Sequence, residues 1–408
     1  MYILESKAGA IALILLAIVC GGSFSALMQF MERRGRLPQH IYLDFAIANF
    51  LVAVLIAVTA GQIGESKAGM PNFFTQLSQI QDNWTSVLFA VAGGLTLSVG
   101  NMMNQYAMAF VGLAVSNIIA CSMVAVLGTT VNYFLDGRIN KAGVLFPGIA
   151  CFIIAMFLGA FVHYSNVKDK EQKLSMLGGD FSTANTNRAG IHSLDIADEG
   201  LRNDESHNAY SEAKAGTAEF IAEVETRRAI KVVGTSKLLG IGIVFLAAIL
   251  FVIFLPALNI AINDQWHVLK KGVPHLVVYT AFFYFYLVDF LLAVSVNLWL
   301  LYRPVAGVPQ STVQAYLNDW NGRHWALLSG LVLGICNGSQ FIAGQAAGFA
   351  TANATMAIPL VSTFWEIILF GEYRRSSRKT YFLLTIMLTM FVIAIGLYLA
   401  SAGNRKNA

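Results

Sequence analysis

Charge is scarce in this chain. Only 12% of its 408 residues are Asp, Glu, Lys or Arg, and the 27 Lys plus Arg are outnumbered by 28 Phe. A soluble domain carries about twice that charged fraction (~25%), so water is excluded as the main solvent. Cysteine is scarce as well. Cys20, Cys121, Cys151 and Cys336 lie far apart, each inside an apolar run. That spacing excludes a disulfide framework and a metal-ligand cluster, and leaves four small hydrophobes packed between helices. The net charge of +4 is small, with the basic residues scattered among loops. It argues against a nucleic-acid partner and for placement near an anionic inner leaflet. A phosphate-binding loop is missing too, because Gly234-Thr235-Ser236-Lys237 lacks the Gly-Lys-Ser/Thr at the required distance from a glycine.

What is present is apolar length. A membrane-spanning helix needs about 20 predominantly apolar residues, since every backbone polar group must be satisfied internally across ~30 Å of hydrocarbon. Ten segments qualify: Ala8–Phe30, Ile41–Ala60, Ser86–Met108, Gly112–Phe134, Ala142–His163, Leu238–Ile260, Val277–Leu301, Ala326–Gly348, Ala350–Phe370 and Tyr381–Ala400. The first is too long, and too polar at its end, for a cleaved signal and is expected to be retained. The pattern predicts an all-α integral membrane protein embedded in a lipid bilayer, with five spans in 1–164, a central loop over 165–237 and five more spans in 238–408. The loop, rich in Ser, Asn, Asp, Glu and Lys, cannot bury enough surface to offset chain entropy and is expected to be mostly disordered. Its last third, Glu212–Lys237, reads either as an interfacial helix carrying Phe220, Val224 and Ile230 or Val233 among Arg227, Arg228 and Lys231, or as a solvated charged linker. The sequon at Asn83 abuts a span, too close to the bilayer for glycosylation.

Outside the spans, 19 Lys plus Arg fall in the loops after the odd-numbered spans and 8 fall elsewhere. The positive-inside rule then places the central loop in the cytosol and both termini on the far side, although ten of the 19 belong to the long loop, where the rule is weak.

The chain also resembles itself. At an offset of 236 residues, Trp84–Arg138 aligns without a gap on Trp320–Arg374, with 12 identities in 55 positions. They include Gly94/Gly330, Asn101/Asn337, Gly112/Gly348 and Asn117/Asn353, and the same offset pairs Pro38 with Pro274. Each copy holds an odd number of spans, so the second must enter the membrane upside down. Ten transmembrane helices as two inverted five-helix repeats place a binding site near the midplane, at the pseudo-two-fold interface, and permit alternating access by rocking one half against the other.

Polar residues inside spans mark candidate sites. Asn101, Asn104 and Gln105 sit at i, i+3 and i+4, hence on one helical face, and the second repeat supplies Asn337, Gln340 and Gln345, with Asn117 and Asn353 in the following spans. An amide offers donor and acceptor side by side, matching a neutral ring with alternating N–H and C=O groups; helix–helix hydrogen bonding is the competing role. Asp289 stands mid-span with no Lys or Arg at its depth. An unpaired carboxylate there costs at least ~2.5 kcal/mol, so it must line water, find donors or hold a proton. Glu366, about one turn from the cytosolic end of its span, is a second proton candidate, and Asp44, expected to snorkel, is a third. Glycines at 93, 94, 100, 330, 334 and 338 allow close helix approach, and the aromatic run Phe282–Tyr286 reads as core or lipid-facing. Trp365, beside Glu366, is a candidate stacking group.

A set of longer motifs runs in order along the chain: Met1-Tyr2, Glu32–His40, Pro71–Ser78, Asn132–Asp136, Asn263–His267, Thr280–Phe285, Ala315-Tyr-Leu-Asn-Asp-Trp-Asn-Gly-Arg323 and Phe370–Thr380. Together these resemble the plant ureide permease family, from end to end apart from the central loop. The resemblance implies a ten-span carrier of the drug/metabolite transporter type. Its expected cargo is allantoin and related heterocycles such as uracil and xanthine, with protons as the coupling ion, in plasma or endoplasmic reticulum membranes.

Departures from the family pattern accompany the matches. Around Ser23-Phe24-Ser25 the family shows Thr-Trp-Pro, so Phe24 stands where a cavity tryptophan is expected. Asn117 and Asn353 replace Glu and Asp, and Glu366 replaces a small residue. A nucleotide-binding motif ascribed to the family's central loop is absent, so neither ATP dependence nor any other cofactor is expected. The leading expectation is a secondary active carrier and not an enzyme. The alternatives are a facilitator without proton coupling, or a receptor-like or regulatory paralogue that binds without cycling. A carrier of nucleotide sugars is disfavoured by the lack of basic residues at midplane depth.

Overall fold

The computed structural model describes residues 1–64, 70–175, 230, 237–267, 269–271 and 275–403. Among them, ten helices are long and apolar enough to cross a bilayer, numbered here as spans 1 to 10: Lys7–Arg33, Pro38–Val58, Ile80–Val111, Leu113–Leu135, Ala142–Asp169, Leu238–Asn263, Val278–Tyr302, Arg323–Ala347, Phe349–Leu369 and Arg378–Ala400. The protein is thus an all-helical multi-pass membrane protein. Two short helices, Phe73–Ser78 and Val313–Asn318, lie in the loops before spans 3 and 8. Outward-facing Leu51, Leu55, Phe157, Phe161, Leu246 and Trp299 present the apolar belt that lipid requires.

Local chemistry sets the helix ends. Ser6 caps span 1 by accepting from the Gly9 N–H, Ser377 caps span 10 through the Thr380 N–H, and Pro38 opens span 2, where a missing N–H costs nothing. Spans 3 and 4 are joined by the single residue Gly112 (φ 88°), and spans 8 and 9 by its repeat partner Gly348 (φ 95°). Only glycine adopts such a backbone readily, so this identity reflects a turn that both halves need. The helix of span 5 runs past the expected boundary at 164 to Ser175. Its extra turns are held by Asp169, whose carboxylate accepts from the Ser377 N–H (2.9 Å) and the Thr380 hydroxyl (2.8 Å). The rest of the central segment, including most of the candidate interfacial helix, and Pro274 lie outside the described residues. Asn83 is buried inside the helix of span 3 and donates to Gln79, which gives the sequon a structural role.

Hydrogen bonds between loops order the two faces. Lys7 Nζ donates to the Ala402 carbonyl (3.0 Å), placing the start of span 1 beside the end of span 10. On the same face the Lys141 N–H reaches Ser401 (3.0 Å), Asn140 reaches Ala347 (3.1 Å), and Asn259, near the end of span 6, reaches Asp136 (3.0 Å). The opposite face joins the end of span 1 to the loop before span 10 through Arg33 and Glu372 (3.2 Å), and the loop after span 1 to the loop before span 8 through Arg36 and Asn321 (2.6 Å). Span 1 therefore starts on the face where span 6 ends, and the two run in opposite directions.

The helix contacts are unchanged by exchanging the halves. Span 1 packs on spans 8 and 9 as span 6 packs on spans 3 and 4; span 2 packs on span 8 as span 7 packs on span 3; spans 2 and 7, and spans 5 and 10, meet each other. Glycine closes two of these seams. A Cβ at Gly330 would meet the Phe45 carbonyl of span 2, and one at the repeat-equivalent Gly94 would meet the Phe285 carbonyl of span 7. The run Phe282–Tyr286 is core: Phe282, Tyr284, Phe285 and Tyr286 are buried, and Phe282 and Phe285 pack edge-on against Phe341 of span 8.

Candidate functional site

A cavity of about 80 Å³ lies between spans 1, 3, 4, 6, 8 and 9. That is several times what one water needs (~10–15 Å³). Span 3 contributes Leu97, Asn101 and Asn104, span 4 Asn117, Ala120, Cys121 and Val124, and span 8 Leu333, Cys336, Asn337 and Gln340. Each set follows i, i+3 or i+4, i+7, the spacing that keeps residues on one helical face. Phe24 and Ser25 of span 1, Phe251 and Phe254 of span 6, and Met356 and Ile358 of span 9 close the apolar walls. No lining residue carries a formal charge.

The amides divide into those already engaged and those with capacity left. Asn104 Oδ1 accepts from the Ser116 hydroxyl, and Asn337 Nδ2 donates to the Tyr286 hydroxyl (2.5 Å). Gln340 Nε2 donates to the Ala352 carbonyl (3.4 Å), while its Oε1 has no partner. Asn101 Nδ2 and Asn117 Nδ2 are likewise buried without partners. Unsatisfied buried groups cost ~1–3 kcal/mol each, so a ligand presenting acceptors to the two donors and a donor to Gln340 recovers that free energy. The lining combines apolar faces with a polar, uncharged edge.

Several candidates lie elsewhere, for reasons of helical phase. Gln105, one position on from Asn104, points away and donates to the Pro38 carbonyl (3.1 Å). Gln345 is half-buried and does not line the cavity, and the Asn353 amide lies against Gly128 of span 4 with neither atom hydrogen-bonded. Trp365 donates its indole N–H to Ser23 (3.0 Å), beside the cavity and not in it. Glu366 is buried near the loop-side end of span 9, close to Tyr373.

Asp44 does not snorkel. It is 2% exposed and bound to Arg36 (2.5 Å), Arg323 (3.3 Å) and the Tyr316 hydroxyl (2.7 Å), because span 2 begins beneath the loop before span 8. Burial lowers the Arg36 guanidinium from its ordinary range, and Asp319 and Asp44 oppose that shift. His40 adds Asp319 (2.7 Å) and Ser311 (2.9 Å) to this knot of charges, which ties the two halves together on one face.

Asp289 is 1% exposed, outside the cavity wall. Asn49 Nδ2 lies 3.5 Å from its Oδ2, and its Oδ1 has no partner. Among the described residues no group of three or more His, Cys, Asp and Glu is arranged to hold a metal.

The comparison with known proteins decides the family. The sequence model described as ureide permease matches residues 41–401. The chain belongs to the ureide permease family. It is 54% identical over 406 residues to ureide permease 2 of Arabidopsis thaliana, covering all of both chains. It is 53% identical to ureide permease 5 of the same plant, covering all of this chain and 97% of the relative. It is 49% identical to the probable ureide permease A3 of Vigna unguiculata, over 93% of this chain and all of the relative. Membership makes the chain a membrane permease, a transporter of small molecules and not a member of an enzyme family.

Three features of this permease escape sequence reasoning. Asn49 and Tyr286 are single polar groups in apolar runs and give no periodic signal, yet both lie beside Asp289. Arg36, Asp44 and Arg323 form an ion cluster whose partners lie as far apart as 279 residues, and only Arg36 with Asp44 is close enough in sequence to suggest pairing.

Proposed function

We propose that the protein is a proton-coupled carrier of neutral, nitrogen-rich heterocycles of the ureide kind, with allantoin first and uracil and xanthine as further cargo. The observation that carries this reading is the uncharged cavity whose unpartnered groups are amide donors at Asn101 and Asn117 and an amide acceptor at Gln340. A ring bearing N–H and C=O side by side satisfies all three. The names of the relatives point to the same cargo.

The two halves are read as an inverted duplication, in keeping with the opposed directions of spans 1 and 6 and the exchange symmetry of the contacts. Rocking one half against the other would expose the cavity alternately to each side. Asp289 is the proposed proton site: a buried carboxyl between halves, lacking a cationic partner, changes its interactions with every proton it gains or loses. No ATP or other cofactor enters this mechanism. The central loop and the Arg36–Asp44 face are assigned to the cytosol, with the termini opposite, in the plasma membrane or endoplasmic reticulum.

Uptake of labelled allantoin and uracil by cells expressing the chain, measured across a pH series, tests this. Saturable uptake that rises as the external pH falls, and loses that dependence in Asp289→Asn, is expected. Absence of uptake of either compound at every pH refutes the cargo. Uptake independent of pH refutes the coupling and identifies a facilitator, and binding without flux identifies a receptor-like paralogue.

A further inference from the structure

Between the cavity and Asp289 runs a continuous line of buried polar groups. Asn337, on the cavity wall, donates from Nδ2 to the Tyr286 hydroxyl (2.5 Å). That hydroxyl also faces the Asn49 side chain. Asn49 in turn donates from Nδ2 toward Asp289 Oδ2 (3.5 Å), leaving Asn49 Oδ1 and Asp289 Oδ1 without partners. All four side chains are at most 5% exposed, in spans 8, 7, 2 and 7. The two donations run in one sense, toward the carboxylate. The titratable groups facing Asp289 are Tyr42 of span 2 and Tyr286 of its own span, with Cys336 of span 8 beside Tyr286 and the Ser98 hydroxyl on span 3. None is cationic, so the proton on Asp289 has no competing charge among the described residues.

Resting on the proton role given to Asp289 above, we infer that Asn337, Tyr286 and Asn49 form a relay that converts the protonation of Asp289 into the hydrogen-bonding sense of the cavity wall. With Asp289 ionised, the carboxylate takes the Asn49 NH2, the open Asn49 Oδ1 turns to accept from the Tyr286 hydroxyl, and that hydroxyl accepts from Asn337 Nδ2. Asn337 then offers its carbonyl oxygen to the cavity. With Asp289 protonated, its new O–H donates to Asn49 Oδ1 and the chain reverses. The Asn49 NH2 turns to Tyr286, the Tyr286 O–H donates to Asn337 Oδ1, and Asn337 presents its NH2 to the cargo. No covalent bond changes except the one O–H on Asp289; the amides rotate and the hydroxyl turns. The unpartnered Asn49 Oδ1 is the acceptor that both senses of the chain need, and a purely structural network gives no reason to leave it open.

Tyr286 and Asn49 are thus positioning residues, and the readout is the pH profile of substrate affinity. The KM for labelled allantoin is measured at acidic and neutral external pH in the wild type, Asp289→Asn, Tyr286→Phe and Asn49→Leu, with surface expression checked for each. One hydrogen bond gained or lost at Asn337 corresponds to a roughly two- to tenfold change in KM between the two pH values in the wild type. The relay requires that ratio to fall to about one in Tyr286→Phe and Asn49→Leu, and the Tyr286→Phe/Asp289→Asn double variant to match the single variants. A wild-type ratio retained in Tyr286→Phe overturns the relay while leaving Asp289 as the proton site. A ratio retained in Asp289→Asn overturns the proton site itself, and the relay with it. Should Tyr286→Phe fail to reach the membrane, Asn49→Leu decides alone, since it removes the middle of the chain away from the cavity.

Discussion

Replacing Gly330 by alanine tests whether the seam between the halves is as close as the structure has it. An ideal Cβ there meets the backbone carbonyl of Phe45 at a separation real Cβ atoms do not show, with the Ala48 Cβ at 2.9 Å and the Asn49 N–H nitrogen at 3.0 Å. Non-bonded carbons prefer ~3.5–4.0 Å, and a helical carbonyl cannot rotate aside, so spans 2 and 8 must part by on the order of 1 Å. Overpacking of this kind costs ~1–3 kcal/mol. Alanine also favours a helix over glycine by up to ~1 kcal/mol, which a control must remove. Gly396 in span 10 supplies it, because a Cβ there meets nothing within 4 Å. The propensity gain is common to both substitutions, so the difference between them isolates the clash. Thermal denaturation of the detergent-purified protein is expected to rank Gly396→Ala at or above the wild type and Gly330→Ala clearly below it. Gly94→Ala, whose Cβ meets Phe285 in the same way, should fall beside Gly330→Ala. A Gly330→Ala protein melting as high as Gly396→Ala would refute the packing argument, and with it the close approach of spans 2 and 8.

The remaining predictions concern the cavity and the ion cluster. Replacing Asn101, Asn117 or Gln340 singly by leucine removes one ~0.5–1.5 kcal/mol hydrogen bond, so the KM for allantoin should rise about two- to tenfold in each. Unchanged KM in all three variants would place the cargo elsewhere. Arg36→Gln strands Asp44 with fewer partners, and breaking a buried ion pair costs up to ~3–5 kcal/mol. The yield of folded protein should drop, and Asp44→Asn added to Arg36→Gln should recover part of it; recovery by neither fluorescence-detected gel filtration nor thermal melting would deny the pair its weight.

The spans were legible because hydrocarbon tolerates so few chains: an apolar run of sufficient length has one stable form. The cavity was partly legible for the converse reason, since amides are scarce at membrane depth and Asn101, Asn104, Asn117, Asn337 and Gln340 stood out against apolar neighbours. Gln105 and Gln345 stood out equally and proved to point elsewhere. A helix turns about 100° per residue, so a one-position difference decides between cavity and seam, and the absolute phase of a span appears in no local pattern. Asp44 was misread because its depth was judged from its place in span 2 alone, while Arg323 arrives above it from 279 residues away.

Composition and apolar length by themselves determined that the chain has ten helices long and apolar enough to cross a membrane. These are properties of local segments dissolved in lipid, and local residues suffice to set them. Which amides share a cavity, which acid is neutralised by arginines and which is left among amides and tyrosines were decided only when the spans packed. Burial and partnership there depend on helices hundreds of residues apart, and the free energy of a polar group in a membrane is set by what meets it.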